Sequence, residues 1–192
     1  MSLVTSRDEA WALLTEWVQS PSLRRHCRCV EIAMRAYAER DGHDAEMWAV
    51  TGLLHDADYE RHPDMDADDG HPRTIMAELE RRGEDPAVAR AIASHADFMG
   101  VERETPMEKT LFAVDELSGF IVACAQVRPE GLIGLTPKSV KKKLKQPSFA
   151  AAVDRDEVRE AAAALGEDFD EHLAFVIAAL EPEAETLGLG GG

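Results

Sequence analysis

The sequence predicts an all-α fold. Ala, Leu, Glu and Arg dominate its 192 residues, apolar side chains return at intervals of three and four, and no alternation of β-branched residues runs long enough to build a sheet. Gly and Pro fall between the periodic stretches and therefore punctuate helices instead of interrupting them. A chain of this length with 45% hydrophobic residues can fill one sizeable core but is short for two independent ones, so a single domain is expected.

The helices follow in order from their start and stop signals. Ser6 caps a first helix reaching about Val18, and Ser20-Pro21 opens a second that runs to about Arg40, where Asp41-Gly42 ends it. Asp44 caps a third helix toward Asp56, and the acidic, Pro-containing stretch from Arg61 to Gly70 is a loop. Pro72 begins a fourth helix that ends near Gly83. Asp85-Pro86 starts a fifth through about Phe98, and Thr105-Pro106 a long sixth to about Arg128, stopped by Pro129. Thr136-Pro137 opens a short basic helix, Ser148 to Leu165 and Asp168 to Leu180 complete the helical set, and the glycine-rich end is expected to be disordered. The organisation expected is an N-terminal helix over 1–20, a helical core over 21–130, a helical extension of the same domain over 131–182 and a tail over 183–192.

A formal charge of −16 works against coating nucleic acid or an anionic membrane, since both would be repelled, and any anionic ligand needs a local basic site. No apolar N-terminal segment resembles a signal peptide and no run approaches the ~20 apolar residues of a membrane span, so a cytoplasmic protein is expected. The three cysteines suit neither a disulfide frame nor a zinc knuckle. Cys27 and Cys29 lie two apart in a helix and point to nearly opposite sides, which predicts reduced structural thiols.

The stretch "LLHDADYE", Leu53 to Glu60, sets His55 and Asp56 behind an apolar run. Burying an imidazole and a carboxylate without partners costs several kcal/mol, so partners are required. His26 shares a helical face with Val30, Ala33 and Tyr37; His95 shares one with Val88 and Ile92; Asp115 sits mid-helix among Leu111, Phe112 and Val122; and His71 projects on the side of Ile75 and Leu79. One inward histidine is ordinary core chemistry. Five helical segments that each present a His or Asp to one interior are better explained by a divalent ion, which neutralises carboxylates and accepts imidazole lone pairs in one place.

The ordered set His26, His55-Asp56, Asp115 resembles the HD superfamily of metal-dependent phosphohydrolases, an all-α fold defined by successive His, His-Asp and Asp. The resemblance covers roughly Leu23 to Arg128. Members with two metals carry two further histidines between the doublet and the last aspartate, an interval that here holds His71 and His95. "LLHDADYE" together with "AVDELSGFIVACAQVRP", Ala113 to Pro129, is most similar to a bacterial and archaeal branch of HD hydrolases without established substrates. A related subgroup carries Gly and Lys where this chain has Asp58 and Tyr59, so no catalytic lysine is carried over to that place.

The resemblance implies hydrolysis of a nucleotide or other small phosphate ester by metal-activated water. It implies a first ion on His26, His55, Asp56 and Asp115, with Asp56 bridging to a second ion on His71 and His95. Asp58 would support a ligand or move a proton. Iron or manganese suits this mixed donor set best, with Mg, Zn, Co or Ni as alternatives and one or two ions bound. Two other classes stay open: a di-iron oxygenase of the HD-like type, and a non-catalytic metal-binding or ligand-sensing protein. Neither the substrate nor the oligomeric state is fixed by the sequence.

Other signals are weaker. Asp64 to Gly70 imitates a calcium loop, but its glycine comes one place late and Ile75 stands where the closing glutamate belongs. His43, His62 and His172 are assigned surface or structural roles. Lys138, Lys141, Lys142 and Lys145 gather on one side of the short basic helix. They either pair with acidic helices or, with Arg128 as helper, dock substrate phosphate.

Overall fold

Ser6, Ser20, Asp44, Asp85, Thr136, Asp154 and Asp168 each turn a side-chain oxygen back onto backbone N–H groups of the helix that follows. Those groups have no partner within the helix, so a short polar side chain at each entry decides where the chain begins to coil. The computed structural model describes residues 5–191, and among them there is no strand. By internal contacts the chain divides into two compact units that meet between Leu111 and Phe112, inside one continuous helix.

The first unit holds α1 (Arg7–Trp17), α2 (Pro21–Asp41), α3 (Ala45–Leu54), α4 (Arg73–Arg82), α5 (Pro86–His95), a 3-10 turn at Asp97–Met99 and the start of α6 (Pro106–Gln126). Its core is Ala10, Leu13, Leu14 and Val18 against Val50, Leu53, Leu54, Ile75, Leu79, Val88 and Ile92, all buried. The i, i+3 and i, i+4 spacings within each helix are the inward stripes legible in the sequence.

The most extensive pairing is α2 on α3. Gly52 permits it: a Cβ there would lie 2.9 Å from the Val30 carbonyl oxygen and 3.0 Å from the Glu31 nitrogen. Any side chain at 52 would push α3 off α2. Two buried carboxylates of this unit, Glu31 and Glu84, are both held. Arg7 binds Glu31 through two nitrogens at 2.8 and 3.1 Å, and Glu84 accepts from the Thr5 and Asp85 backbones.

The second unit contains the rest of α6, then α7 (Pro137–Leu144), α8 (Arg155–Leu165), α9 (Phe169–Leu180) and a 3-10 turn at Glu181–Glu183. Leu117, Phe120, Ile121, Val140, Leu144, Val158, Leu173, Val176 and Leu180 fill its interior. Two expectations change here. Helix α8 starts at Arg155, not Ser148, because Asp154 caps it and the Arg155 guanidinium gathers the Leu144, Gln146, Phe149 and Val153 carbonyls into turns. The tail expected to be disordered is packed through 191. Leu187 and Leu189 are buried, and Leu132 donates its N–H to the Leu189 carbonyl at 2.8 Å. Gly131, at φ +59°, makes room for that contact, since a Cβ would sit 2.0 Å from the Leu189 oxygen. Two leucines among glycines thus supply enough apolar burial to anchor a segment whose composition reads as flexible. All three cysteines are free and buried, as expected.

Glu108 gives a pH test of the first unit. It is 2% exposed, accepts the Glu104 and Thr105 backbone N–H groups at 2.6 and 3.0 Å, and pairs with Arg90 at 2.9 Å. Burial by itself would raise its pKa, but those donors and the Arg90 charge outweigh burial and hold it below its ordinary 4.5. A lowered folded-state pKa stabilises at pH above the unfolded value and is lost as pH falls through the folded value. Glu108→Gln should therefore cost roughly 1–3 kcal/mol at pH 7 in chemical denaturation, and the gap from wild type should close progressively below about pH 4.5. A gap of constant size from pH 7 to 3 would contradict this account.

Candidate metal centre

The first unit brings four histidines and one aspartate together from separate elements. His26 comes from α2, His55 is the residue that ends α3, Asp56 opens the turns behind it, His71 precedes α4, and His95 is the last residue of α5. His55 is fully buried, His71 and His95 nearly so, and Asp56 and His26 keep 16% and 21% of their side-chain surface exposed. His26 also lines a cavity of about 480 Å³ together with Ser20, Ser22, Leu23, Tyr59 and Glu60.

All four imidazoles face the aspartate through Nε2. Asp56 Oδ2 lies 3.7 Å from His26 Nε2 and 3.6 Å from His55 Nε2, while Oδ1 lies 3.4 Å from His71 Nε2 and 3.6 Å from His95 Nε2. His26 and His55 approach each other, Nε2 to Nε2, at 3.2 Å. The ligand atoms of His55, Asp56 and His95 all fall within 4.8 Å of one another.

The far nitrogens fix the chemistry of the near ones. His55 Nδ1 is 2.8 Å from the Gly52 carbonyl, His95 Nδ1 meets the Ile92 carbonyl, and His71 Nδ1 is 2.7 Å from Asp58 Oδ1. Carbonyl and carboxylate oxygens only accept, so each Nδ1 carries the proton and each Nε2 of a neutral ring presents its lone pair. Three lone pairs and a carboxylate aimed at one another repel unless a cation lies among them. The donor set therefore fits a divalent ion, with the orienting partner on the far ring nitrogen that metal-bound histidines usually have.

Asp58 Oδ1 is the acceptor beside His71 Nδ1. Asp58 is fully buried, and its second oxygen accepts the Ile75 N–H at 2.8 Å, which ties His71 to the first turn of α4. The backbone partners Gly52 and Ile92 had no side-chain signal in the sequence; only their place three residues before a histidine marks them. Asp115 lies one turn past Leu111 on α6, partly buried.

The remaining histidines take the surface and structural roles expected. His43 stacks on Trp48 at 4.8 Å, His62 faces Asp69 at 3.2 Å, and His172 is buried within the second unit with Nε2 at 3.0 Å from the Ala113 carbonyl. The acidic loop closes on itself: the Asp66 N–H donates to Asp64, and Gly70 lies so close to the Asp64 carbonyl that a Cβ would clash at 1.9 Å.

The basic residues belong to the second unit, and the predicted stripe divides. Lys141 pairs with Asp170 at 2.6 Å, which is the pairing alternative, whereas Lys138 and Lys145 are exposed. Lys142 and Arg128 line a cavity, joined by Lys143, which the stripe left out because Lys143 is one position off its face.

A family model described as HD domain matches residues 23–119, just over half of the chain, and the chain belongs to that family. No curated protein and no solved structure matches it. HD domains bind divalent metals and are commonly metal-dependent hydrolases, which agrees with the donor set above. No helix among the described residues is long and apolar enough to cross a membrane.

His55→Ala or Asp56→Ala should bring bound metal, counted by elemental analysis, close to zero; wild-type content in either variant would remove that residue from the ligand set. Asp58→Asn should keep the fold but weaken metal binding about 10–100-fold, since His71 loses the acceptor that holds its ring. Unchanged affinity there would mean that the 2.7 Å contact does not orient His71.

Proposed function

We propose that the protein is a metal-dependent phosphohydrolase acting on a nucleotide or other small phosphate ester through metal-activated water. The observation that carries the reading is the division of Asp56, with one oxygen toward His26 and His55 and the other toward His71 and His95. A carboxylate so placed suits a bridge between two cations. Asp115 completes the first ligand group in this proposal; it is supported by the order of the HD pattern and by a family match that runs to residue 119.

A bound divalent ion supplies a Lewis acid for phosphoryl oxygens and lowers the pKa of water from 15.7 toward about 7. The chain's own residues do the rest. The Nδ1 partners hold His55, His71 and His95 with Nε2 aimed at the cluster, Asp58 fixes the His71 ring, and Asp56 supplies negative charge shared by both groups. His26 borders a cavity by which a phosphate ester would reach the cluster, with the Ser20 and Ser22 hydroxyls beside it. Those two hydroxyls lie 2.8 Å apart and can donate to an anionic oxygen after reorienting. Iron or manganese fits the imidazole-rich set better than magnesium.

Protein loaded with manganese or iron should release inorganic phosphate from members of a phosphate-ester panel, and Asp56→Asn should abolish release. Turnover should be the same in air and without dioxygen. Turnover that requires dioxygen would assign the centre to oxidation instead, and full metal loading with no turnover of any ester would leave a binding or sensing protein. His95→Ala should roughly halve the metal count while the His26, His55, Asp56 and Asp115 group stays filled; an unchanged count would place His95 outside a second ion's ligands.

A further inference from the structure

The lysines of this chain are not spread over its surface. Five of the six fall between 138 and 145, and with Arg128 they face a single acidic residue, Glu130, in the stretch 128–146. In a chain of net charge −16 this is a concentrated reversal of sign. It also coincides with a cavity. Arg128, Glu130, Ser139, Lys142, Lys143 and Gln146 line a hollow of about 430 Å³, floored by Cys124 and Leu135 and built wholly within the second unit.

The lining follows helical spacing. Ser139, Lys142, Lys143 and Gln146 stand at i, i+3, i+4 and i+7 on and just beyond α7, while Val140 and Leu144 turn into the core and fix the face presented. The Arg128 guanidinium is fastened to the Ile133 carbonyl at 3.0 Å and leans on that of Gly134 at 3.5 Å, so it is oriented before anything binds. Lys143 lies over the Phe149 ring at 4.6 Å. Cys124 senses the charge: burial pushes its thiol up to about 11, and the Lys143 and Arg128 charges pull against that rise.

We propose that this cavity is a second, metal-independent ligand site that binds the phosphate group of a small hydroxyl-bearing phosphomonoester. Lys142, Lys143 and Arg128 converge on the phosphate with Ser139 as hydroxyl donor, and Glu130 accepts from a hydroxyl of the ligand. Charge-assisted hydrogen bonds from a guanidinium and two ammonium groups match a dianion, and a volume near 430 Å³ suits a mononucleotide or sugar phosphate better than inorganic phosphate alone. An extended nucleic acid is a poor fit, because the lysine cluster spans only one short helix in a chain of net charge −16.

Calorimetric titration with AMP, adenosine and inorganic phosphate tests the site, on the protein as purified and again after chelation, with the melting transition recorded to show that the chelated protein is folded. AMP should bind saturably in the millimolar range or tighter with and without metal, inorganic phosphate more weakly, and adenosine not at all. Lys142→Gln/Lys143→Gln should weaken AMP about tenfold or more at unchanged metal content, and wild-type affinity should fall as salt rises. Loss of all AMP binding from the wild type on chelation would place the phosphate at the metal centre and overturn the proposal, as would AMP binding to the chelated protein that the double substitution leaves unchanged. Absence of saturable AMP and phosphate binding would overturn it as well. Neither result depends on phosphate release, so failure here is distinguishable from failure of the hydrolytic reading.

Discussion

The close packing of α2 on α3 is the constraint from which the histidine–aspartate cluster follows. At Gly52 the two backbones meet with no room for a Cβ, and this contact brings His26 on one helix to within 3.2 Å of His55 at the end of the other. The same glycine gives its carbonyl to His55 Nδ1, so one small residue sets both the distance between two donors and the tautomer of one of them. Had the helices stood farther apart, His26 could not come within 3.7 Å of Asp56 however well the other histidines were placed.

Around that contact the protein orients imidazoles by one device with two kinds of acceptor. His55 and His95 each end a helix and donate to the carbonyl three residues back, a bond available because terminal helical carbonyls lack a partner within the helix. His71 precedes its helix and has no such carbonyl behind it. It uses Asp58 instead, whose other oxygen caps the entering backbone at Ile75. A buried carboxylate is costly unless it is hydrogen-bonded, and Asp58 meets that condition by serving the His71 ring and a helix start together.

The second unit meets the problem of charge differently. Lys141 is neutralised by Asp170, yet its neighbours Lys142 and Lys143 are directed to the cavity beside Arg128. Successive residues on a helix diverge by about 100°, so a run of lysines is divided among faces by whichever apolar residues are buried. Here Val140 and Leu144 make that choice, and it moves the cavity-facing set one position from the face picked out by the lysines alone.

What the sequence by itself determined is local. Capping residues, Pro at helix starts and Gly at helix ends fixed most helix positions; apolar periodicity fixed the inward faces; and the order of His26, His55-Asp56 and Asp115 marked the family. The start of α8 escaped because Asp154 and Arg155 act through caps and carbonyl contacts that have no periodic signature, and the packed tail escaped because two leucines among glycines look like a linker until a surface receives them. Tertiary structure alone decided which oxygen of Asp56 meets which pair of histidines, that Asp58 stands behind His71, and that Lys143 enters the cavity in place of Lys141. Those outcomes depend on distances between elements far apart in the chain. Periodicity gives the direction in which a side chain leaves its own helix, but only the packing of one helix on another sets what it meets.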